Sequence, residues 1–299
     1  MYSYEVWQWV LILFIYCFVG WIWETSYVSI KEGHFVNRGF MNGPFLPIYG
    51  SGAITILFVA LPVKDNPILV FLFGMIAATI LELIAGILIL KIFKVRYWDY
   101  SYRKIQYKGH ICLVSSIAWG VFSCLLVYVI HRPIEKLIYA IPESAGQMIT
   151  MIFTVINSAD FATSFKTALE LRNILITGDD IKRQIERLER RAEIIEVFMA
   201  DSAEKRTAEI MEHISDIVDM ISESKENAAE ELLRVKKERD MKATLLLQKL
   251  SYNKSISDLI RRNPYANSPH YSEMFTAYKR RTIDSINNNK GIKEWIKRS

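Results

Sequence analysis

Residues 37–50 form the stretch that most restricts the fold of this chain. They contain three glycines, two prolines, two asparagines and one arginine together with six large apolar residues, and they lie between two apolar runs. A helix does not accommodate Gly43-Pro44 followed by Pro47, and irregular backbone cannot face lipid because its polar groups would lack hydrogen-bond partners. The stretch therefore predicts irregular backbone that is packed inside a membrane bundle or lines a polar cavity there. We expect the functional site at this stretch.

The apolar runs predict an all-α integral membrane protein with about five transmembrane helices, residues 37–50 being a re-entrant or irregular segment after the first. The predicted spans are residues 6–30, 48–63, 68–93, 110–130 and 144–171. The second span is short, as expected if the irregular segment supplies part of the crossing. The fifth is weaker because it carries Asn157, Asp160 and Thr163.

The basic residues favour one orientation in the membrane. With the N-terminus outside, the inner loops before the C-terminal region hold eight Lys or Arg residues, whereas the outer segments hold three. Lys and Arg accumulate in cytoplasmic loops, so the sequence predicts a multi-pass protein of a bacterial-type inner membrane, with its N-terminus outside and its C-terminal region in the cytoplasm. The irregular segment would then enter from the cytoplasmic side.

Three acidic residues, Glu24, Glu82 and Asp160, fall inside predicted spans. A charge at the centre of a span costs roughly 2.5–3.5 kcal/mol on an insertion scale, so each acid should face the bundle interior and have a partner. The acids are either structural ties between helices or, together with the irregular segment, the lining of a polar cavity, which we favour. The candidate substrate-binding residues are Glu24, Asn37, Arg38, Asn42, Tyr49, Glu82, Asp99 and Asp160.

Residues 96–101, on the loop before the fourth span, have two interpretations. They are either an aromatic belt at the headgroup level or part of the site, because they would lie at the same membrane face as Glu24 and Arg38. Further along, Ser115 and Trp119 are assigned to close helix packing and to the core.

The sequence predicts no cofactor, no metal site and no catalytic residue. The three cysteines lie in apolar runs, where we expect small buried hydrophobic side chains, and their spacing matches neither a metal site nor a disulfide framework. No Gly-x-x-x-x-Gly-Lys-Ser/Thr phosphate loop, the ATPase motif, occurs. A net charge of +5 spread among many acids argues against nucleic-acid binding.

The C-terminal part is charged and helical in pattern. Residues 179–263 contain neither Gly nor Pro, and apolar residues recur there in steps of three and four, with a phase slip near Ala203. This pattern predicts a long cytoplasmic coiled coil, intramolecular or dimeric, or alternatively a helical hairpin that turns at residues 222–227. A short helix with Met274, Phe275 and Tyr278 on one face and a basic tail would follow. The predicted domains are residues 1–172, 173–263 and 264–299.

Several of these segments together resemble the ABC-transporter type IV permease family (CmpB-like membrane proteins). The resemblance covers about residues 1–170. It is carried by Gly20-Trp21-Ile22-Trp23-Glu24, residues 37–50, Leu81-Glu82, Trp98-Asp99-Tyr100-Ser101, Gly109-His110-Ile111-Cys112-Leu113 and Trp119-Gly120. The resemblance implies a permease-like membrane protein, with a nucleotide-binding subunit on a separate chain.

Three functions are open at this level. The favoured one is a transport component of unnamed substrate, because buried acids beside broken backbone near the midplane are typical of transporter sites. The second is a membrane enzyme for a lipid or isoprenoid-linked substrate, with Glu24 and Glu82 as acid and base and Arg38 as a phosphate clamp. The third is a membrane-anchored scaffold or sensor. The expected partners are membrane lipid, the nucleotide-binding subunit, and a second copy or a coiled-coil partner.

Overall fold

A computed structural model describes residues 4–209, 215–251 and 253–287. The chain divides into two compact units, residues 1–172 together with 253–299 (unit 1) and residues 173–252 (unit 2). The elements in chain order are α1 (Val6–Glu32), α2 (Pro47–Ala60), a 3-10 turn (Leu61–Val63), α3 (Pro67–Phe93), β1 (Gln106–Tyr107), β2 (Ile111–Cys112), α4 (Leu113–Leu125), a π-helical turn (Leu126–Ile130), α5 (His131–Ala140), α6 (Glu143–Glu209), α7 (Ser215–Lys249), α8 (Lys254–Arg262) and α9 (Ser272–Asn287).

The described structure is nearly all α-helical, and it contains four helices that are long and apolar enough to cross a bilayer. These are Val6–Glu32, Pro67–Phe93, Leu113–Ala140 and Glu143–Val197. The chain is therefore a membrane protein, as the sequence predicted. The shorter apolar helix Pro47–Val63 corresponds to the predicted second span. A total of five crossings stays a prediction.

The helix Leu113–Ala140, which corresponds to the predicted fourth span, differs from its predicted bounds. Residues 110–130 were expected, whereas the helix begins at Leu113, passes through the π-helical turn and continues to Ala140. Pro133 does not end it, because a local π-helical adjustment accommodates the missing backbone N–H of proline.

The irregular segment runs back along α1 toward the middle of that helix. Its backbone N–H groups donate to α1 at successive depths, from Val36 to Ser29 Oγ (2.9 Å), from Arg38 to Thr25 Oγ1 (3.2 Å), and from Leu46 to the Cys17 carbonyl (3.0 Å). Because these backbone N–H groups have acceptors on α1, the non-helical segment can lie against that helix. Helix α2 then begins at Pro47, at the depth of Cys17.

Two glycines let α1 and α2 approach each other closely. A Cβ at Gly20 would lie 2.3 Å from Tyr49 Cβ, and a Cβ at Gly50 would lie 2.4 Å from Cys17 Sγ and 2.6 Å from the Leu13 carbonyl oxygen. Only hydrogen fits at these positions. The close approach fixes the place of Tyr49 at the interface between the two helices.

Helix α8 (Lys254–Arg262), in the range that the sequence assigned to the coiled-coil domain, belongs to unit 1. The predicted domain bounds stay a prediction. The helix is strongly amphipathic and buries Ile256, Leu259 and Ile260. Helix α9 buries Met274, Phe275 and Tyr278, the face expected from the sequence. Because both helices bury an apolar face, the chain returns to unit 1 after residue 252. The predicted basic tail at residues 288–299 lies outside the described residues.

Unit 2 contains the distal part of α6 and α7, which lie side by side. Lys236 Nζ lies 2.7 Å from Glu196 Oε1, and Arg191 pairs with Glu231. Parallel helices paired at these residues would need a connection of about 50 Å at 1.5 Å per helical residue, which the chain between residues 209 and 215 cannot span. The two helices therefore run antiparallel.

The turn predicted at residues 222–227 is wrong, because α7 is helical there. The coiled-coil packing of this unit stays a prediction. The phase slip near Ala203 falls among side chains outside those that the structure describes.

Candidate functional site

Glu82 lies in the interior of α3 and is only 7% exposed. Its Oε1 accepts a hydrogen bond from the Tyr100 hydroxyl (3.0 Å), and its Oε2 accepts from Trp119 Nε1 (3.1 Å) and Ser115 Oγ (3.4 Å). Within the described part of the chain, no Lys, Arg or His forms an ion pair with Glu82. A carboxyl group inside an apolar helix is therefore held by neutral donors.

Glu24 forms a second carboxyl site nearer the end of α1. Its Oε1 accepts a 3.0 Å hydrogen bond from the Tyr49 hydroxyl, and its Oε2 lies 3.7 Å from Arg38 Nε. The side chain of Arg38 is 11% exposed and that of Glu24 is 28% exposed. Arg38 and Glu24 thus form a long ion pair that is supported by a shorter tyrosine hydrogen bond.

The two carboxyl sites are connected through aromatic side chains. The ring centroids of Tyr49 and Trp119 lie 6.4 Å apart, and the two residues donate to Glu24 and Glu82 respectively. Arg38, Glu24, Tyr49, Trp119 and Glu82 therefore form one series of contacts from the end of α1 to the interior of α3, with an aromatic ring contact at its centre. We call this series the carboxyl path.

Asp160, on α6, contacts the backbone of the irregular segment. Its Oδ1 accepts from Asn42 N (3.1 Å) and Asn42 Nδ2 (2.8 Å), and its Oδ2 accepts from Gly43 N (2.7 Å). A carboxylate that satisfies successive backbone N–H groups acts as a cap for irregular chain. This geometry gives Asp160 and Asn42 a positioning role, away from the carboxyl path.

Asn37 also fastens the irregular segment. It accepts a 2.6 Å hydrogen bond from Trp21 Nε1 through Oδ1, and its Nδ2 donates to the Asn42 carbonyl over 2.9 Å. The first contact ties the segment to α1, and the second closes the segment on itself. Asn37 thereby sets where Arg38 emerges beside Glu24.

Asp99 lies in the loop between α3 and β1, beside Tyr100. It accepts from Ser101 N (2.9 Å) and Ser101 Oγ (2.5 Å), it lies 3.3 Å from Arg96 Nη1, and Asn267 Nδ2 donates to its Oδ2 over 3.0 Å. Burial raises the pKa of this carboxyl, but the hydrogen bonds from Ser101 and Asn267 and the charge of Arg96 together hold the pKa below its ordinary value of 3.8. Asp99 is therefore ionised near neutral pH and anchors its loop.

Residues 262–268, which we call the docking segment, lie on the irregular segment. Arg38 Nη1 donates to Asn263 Oδ1 (2.5 Å), Asn263 Nδ2 donates to the Gly39 carbonyl (3.0 Å), and Arg262 Nη1 donates to the Met41 carbonyl (2.5 Å). Arg262 and Asn263 are 8% and 2% exposed. Burial lowers the pKa of Arg262, and the charge of Asp160 opposes that shift.

The same segment also pairs with the loop that carries Asp99. Arg96 N donates to the Asn267 carbonyl (2.7 Å), Asn267 N donates to the Arg96 carbonyl (3.0 Å), and Ser268 Oγ donates to the Lys94 carbonyl (2.5 Å). The docking segment thus bridges the chain that follows α1 and the chain that follows α3. It covers Arg38, where the carboxyl path begins.

A comparison with family models matched residues 11–165, just over half of the chain, to the family described as Putative ABC-transporter type IV. The chain belongs to this family. The resemblance noted from the sequence is thereby confirmed, and the family is one of ABC-transporter-type membrane components. Its matched range contains the whole carboxyl path and Asp160, whereas the docking segment lies beyond it. No curated protein and no solved structure matched the chain in the same comparisons.

Sequence reasoning missed the partners of Glu82 and the docking segment. Ser115 and Trp119 had been assigned to helix packing and core, yet both donate to Glu82. One signal was available in the sequence. Ser115 and Trp119 can donate hydrogen bonds, and they lie in the span that follows the span of Glu82, an acid without a predicted partner. Around Asn263 the sequence indicated only a domain boundary, because a local pattern does not show what a segment contacts.

Proposed function

We propose that this chain is a membrane permease or transport component whose polar intramembrane site is the carboxyl path. Its substrate interacts with Glu82 and Glu24, and the docking segment covers the cytoplasmic entrance at Arg38. The observation that carries the proposal is the burial of Glu82 inside an apolar helix with only neutral donors around it. A membrane ionisable residue of this kind points to function because it is costly to maintain.

The donors of Glu82 support exchange with a ligand. Trp119 and Ser115 lie on α4, whereas Tyr100 lies on the irregular chain between α3 and β1. A loop residue moves at lower cost than two residues of one helix. Displacement of Tyr100 would free Oε1 of Glu82 for a proton, a cation or a polar hydrogen-bond donor of the substrate.

The docking segment links the entrance to this donor. Asn267 holds Asp99, and Asp99 is the neighbour of Tyr100. Release of the docking segment would therefore free both Arg38 and the loop that carries Tyr100. This coupling assigns the present conformation to the closed state of the transport site.

The arrangement of the two glutamates favours transport over acid–base catalysis. In the described part of the chain, no hydrogen bond joins Glu24 to Glu82, and the rings of Tyr49 and Trp119 lie on the path between them. An acid–base pair needs both groups within hydrogen-bond reach of the same reacting atoms. A series of separate polar sites is what a moving solute requires.

The charge pattern supports an N-terminus outside and a cytoplasmic entrance, because Lys31, Lys91, Lys94 and Arg96 cluster at the end of unit 1 where α1 and α3 end. The five crossings predicted from the sequence would be few for a whole transporter. We therefore include in the proposal a second copy or another membrane chain, and a separate nucleotide-binding subunit that supplies the energy.

A deletion strain complemented with variants tests the proposal. Small molecules and lipids would be quantified by mass spectrometry inside and outside cells that express wild-type chain, Glu82→Gln, or the exposed control Glu193→Gln. Transport predicts that a solute changes sides without chemical change, and that Glu82→Gln but not Glu193→Gln abolishes this redistribution. A substrate–product pair, or a normal profile with Glu82→Gln, would overturn the proposal.

A further inference from the structure

A second buried polar chain lies at the end of unit 1 opposite to Arg38. The Tyr4 hydroxyl donates to Glu135 Oε1 over 2.8 Å and lies 2.9 Å from His131 Nε2. On the other side of the imidazole, the Tyr16 hydroxyl lies 3.0 Å from His131 Nδ1. The four side chains come from the N-terminal residues, α1 and α5, and they form an unbroken series of hydrogen bonds.

The series has a direction that follows from the number of protons available. Tyr4 has one hydroxyl proton, which it gives to Glu135 Oε1, so its oxygen accepts from His131 Nε2–H. A neutral imidazole then has a lone pair at Nδ1, which accepts from the Tyr16 hydroxyl. Every donor therefore points from Tyr16 toward Glu135.

Only one end of the series is open to solvent. His131, Tyr16 and Tyr4 are 2%, 3% and 7% exposed, whereas Glu135 is half-buried. Among the described residues, Tyr139 stacks on Tyr4, and the neighbouring Arg132 is exposed. At the inner end, Tyr16 precedes Cys17, whose carbonyl accepts from Leu46 where the irregular segment ends.

We propose that Glu135, Tyr4, His131 and Tyr16 form a proton relay between the surface and the middle of the bundle. In one concerted shift, the bonds Tyr16 O–H, His131 Nε2–H and Tyr4 O–H break. The bonds His131 Nδ1–H, a new Tyr4 O–H and Glu135 O–H form. Glu135 then releases its proton to water, and a hydronium ion in the bundle interior reprotonates Tyr16, so that one proton has crossed. The reverse order carries a proton inward.

The relay ends close to the carboxyl path. Tyr16 and Gly20 are four residues apart on α1 and so lie on one face of that helix. Gly20 is the position against which the side chain of Tyr49 packs, and Tyr49 donates to Glu24. A proton delivered to Tyr16 is therefore one helical turn from the transport site proposed above. That last link rests on the proposed function, whereas proton uptake at His131 does not.

Nitrogen NMR of the full chain tests the relay without any substrate. The protein would be labelled with ¹⁵N-histidine and placed in lipid nanodiscs, and the His131 signals would be assigned by comparison with His131→Gln. We expect Nε2 to carry the proton while Glu135 is ionised. The opposite tautomer, with the proton on Nδ1, would overturn the relay. Failure of transport in the complementation assay would leave this result unaffected.

The second measurement is the exchange rate of the His131 Nε2 proton with water. Because Tyr4 links the ring to Glu135, Tyr4→Phe should slow exchange by about tenfold, the kinetic equivalent of one lost hydrogen bond. Glu135→Ala, which changes only the half-buried end, should slow it as well. In the concerted shift the Nε2 proton leaves only as Nδ1 receives one from Tyr16, so Tyr16→Phe should slow exchange as well. The exposed control Tyr27→Phe should leave the rate unchanged.

These variants separate a relay from a structural tie. A tie between the N-terminal residues and α5 would respond in the opposite direction, since loss of either hydroxyl would loosen the ring and speed exchange with water. A rate that is unchanged or raised in Tyr4→Phe or in Tyr16→Phe would overturn the relay. Slower exchange in Tyr4→Phe, Tyr16→Phe and Glu135→Ala would establish the path through Glu135.

Discussion

Arg38 and Asn263 are joined by a 2.5 Å hydrogen bond from Nη1 to Oδ1, although 225 residues separate them in the chain. The guanidinium of Arg38 also lies 3.7 Å from Glu24, and the amide of Asn263 also donates to the Gly39 carbonyl. One arginine is thus shared between the carboxyl path and the docking segment. Loss of the contact between Arg38 and Asn263 should therefore change the contact between Arg38 and Glu24, and the reverse should also hold.

Asn263→Ala should detach the docking segment. The change removes the acceptor of Arg38 and the donor to Gly39, and loss of such buried bonds, one of them charge-assisted, costs about 2–4 kcal/mol. Spin labels at Phe35 and Tyr265, which are 71% and 38% exposed, would report the separation by pulsed electron resonance. We expect a second, longer distance population in the variant. An unchanged distance distribution would contradict the role of Asn263 in holding the docking segment. The exposed Asn227→Ala serves as control.

Docking should also weaken in strong acid through Asp99. Its pKa in the folded protein lies below the ordinary 3.8, since hydrogen bonds and Arg96 outweigh burial. A depressed carboxyl pKa contributes stability that is full above the ordinary value and is lost as the pH falls through the folded value. Asp99 should therefore have no effect on the spin-label distance between about pH 8 and about pH 5. The distance should lengthen only below pH 3.8, where Asp99 takes up a proton.

Asp99→Asn provides the comparison for this pH dependence. The amide lacks the charge that attracts Arg96 and accepts more weakly from Ser101 and Asn267, so the docked population should be smaller at neutral pH. The acid-dependent step assigned to Asp99 should vanish. A variant that follows the wild-type curve throughout would show that other carboxyl groups govern release.

Asp160→Asn should destabilise unit 1. The carboxylate accepts from two backbone N–H groups and one side-chain amide, and an asparagine would present an NH₂ group to some of these donors. Hydrogen bonds to a charged group contribute about 1.5–3 kcal/mol, so a loss of about 2 kcal/mol is expected. Thermal unfolding in detergent measures it, with the exposed Asp65→Asn as control. Equal stability of both variants would remove the positioning role from Asp160.

Gly50→Ala and Gly52→Ala should have opposite effects although they lie two residues apart on α2. A Cβ at Gly50 meets Cys17 Sγ at 2.4 Å and the Leu13 carbonyl at 2.6 Å, whereas a Cβ at Gly52 has its nearest neighbours at 4.0 Å. Overpacking costs typically about 1–3 kcal/mol, while replacing glycine by alanine in a helix gains about 1 kcal/mol where space allows.

Unfolding in a denaturing detergent series would compare the two glycine variants. Gly50→Ala should unfold earlier than wild type, and Gly52→Ala should unfold at the same point or later. The prediction fails if both variants shift in the same direction, because that outcome would mean that the contact between α1 and α2 does not depend on the missing side chain at Gly50.

The sequence reached the fold through features that act locally. Long apolar runs predicted the membrane helices, and Gly43-Pro44 with Pro47 predicted irregular chain, because these preferences belong to the residues themselves. The end of the helix Leu113–Ala140 was missed because a π-helical turn precedes Pro133 and the helix continues past it. The apolar stripe of α8 did not indicate that this helix belongs to unit 1, because a stripe does not show which surface it packs on.

The sequence by itself determined that this is a membrane protein of a transporter family, that its chain is irregular before α2, and that Glu24, Glu82 and Asp160 need partners. Only the tertiary structure decided who those partners are. Trp119 and Tyr100 reach Glu82 across 37 and 18 residues of chain, and Asn42 reaches Asp160 across 118. A hydrogen bond forms where two atoms meet in space, and no local pattern of residues encodes that meeting.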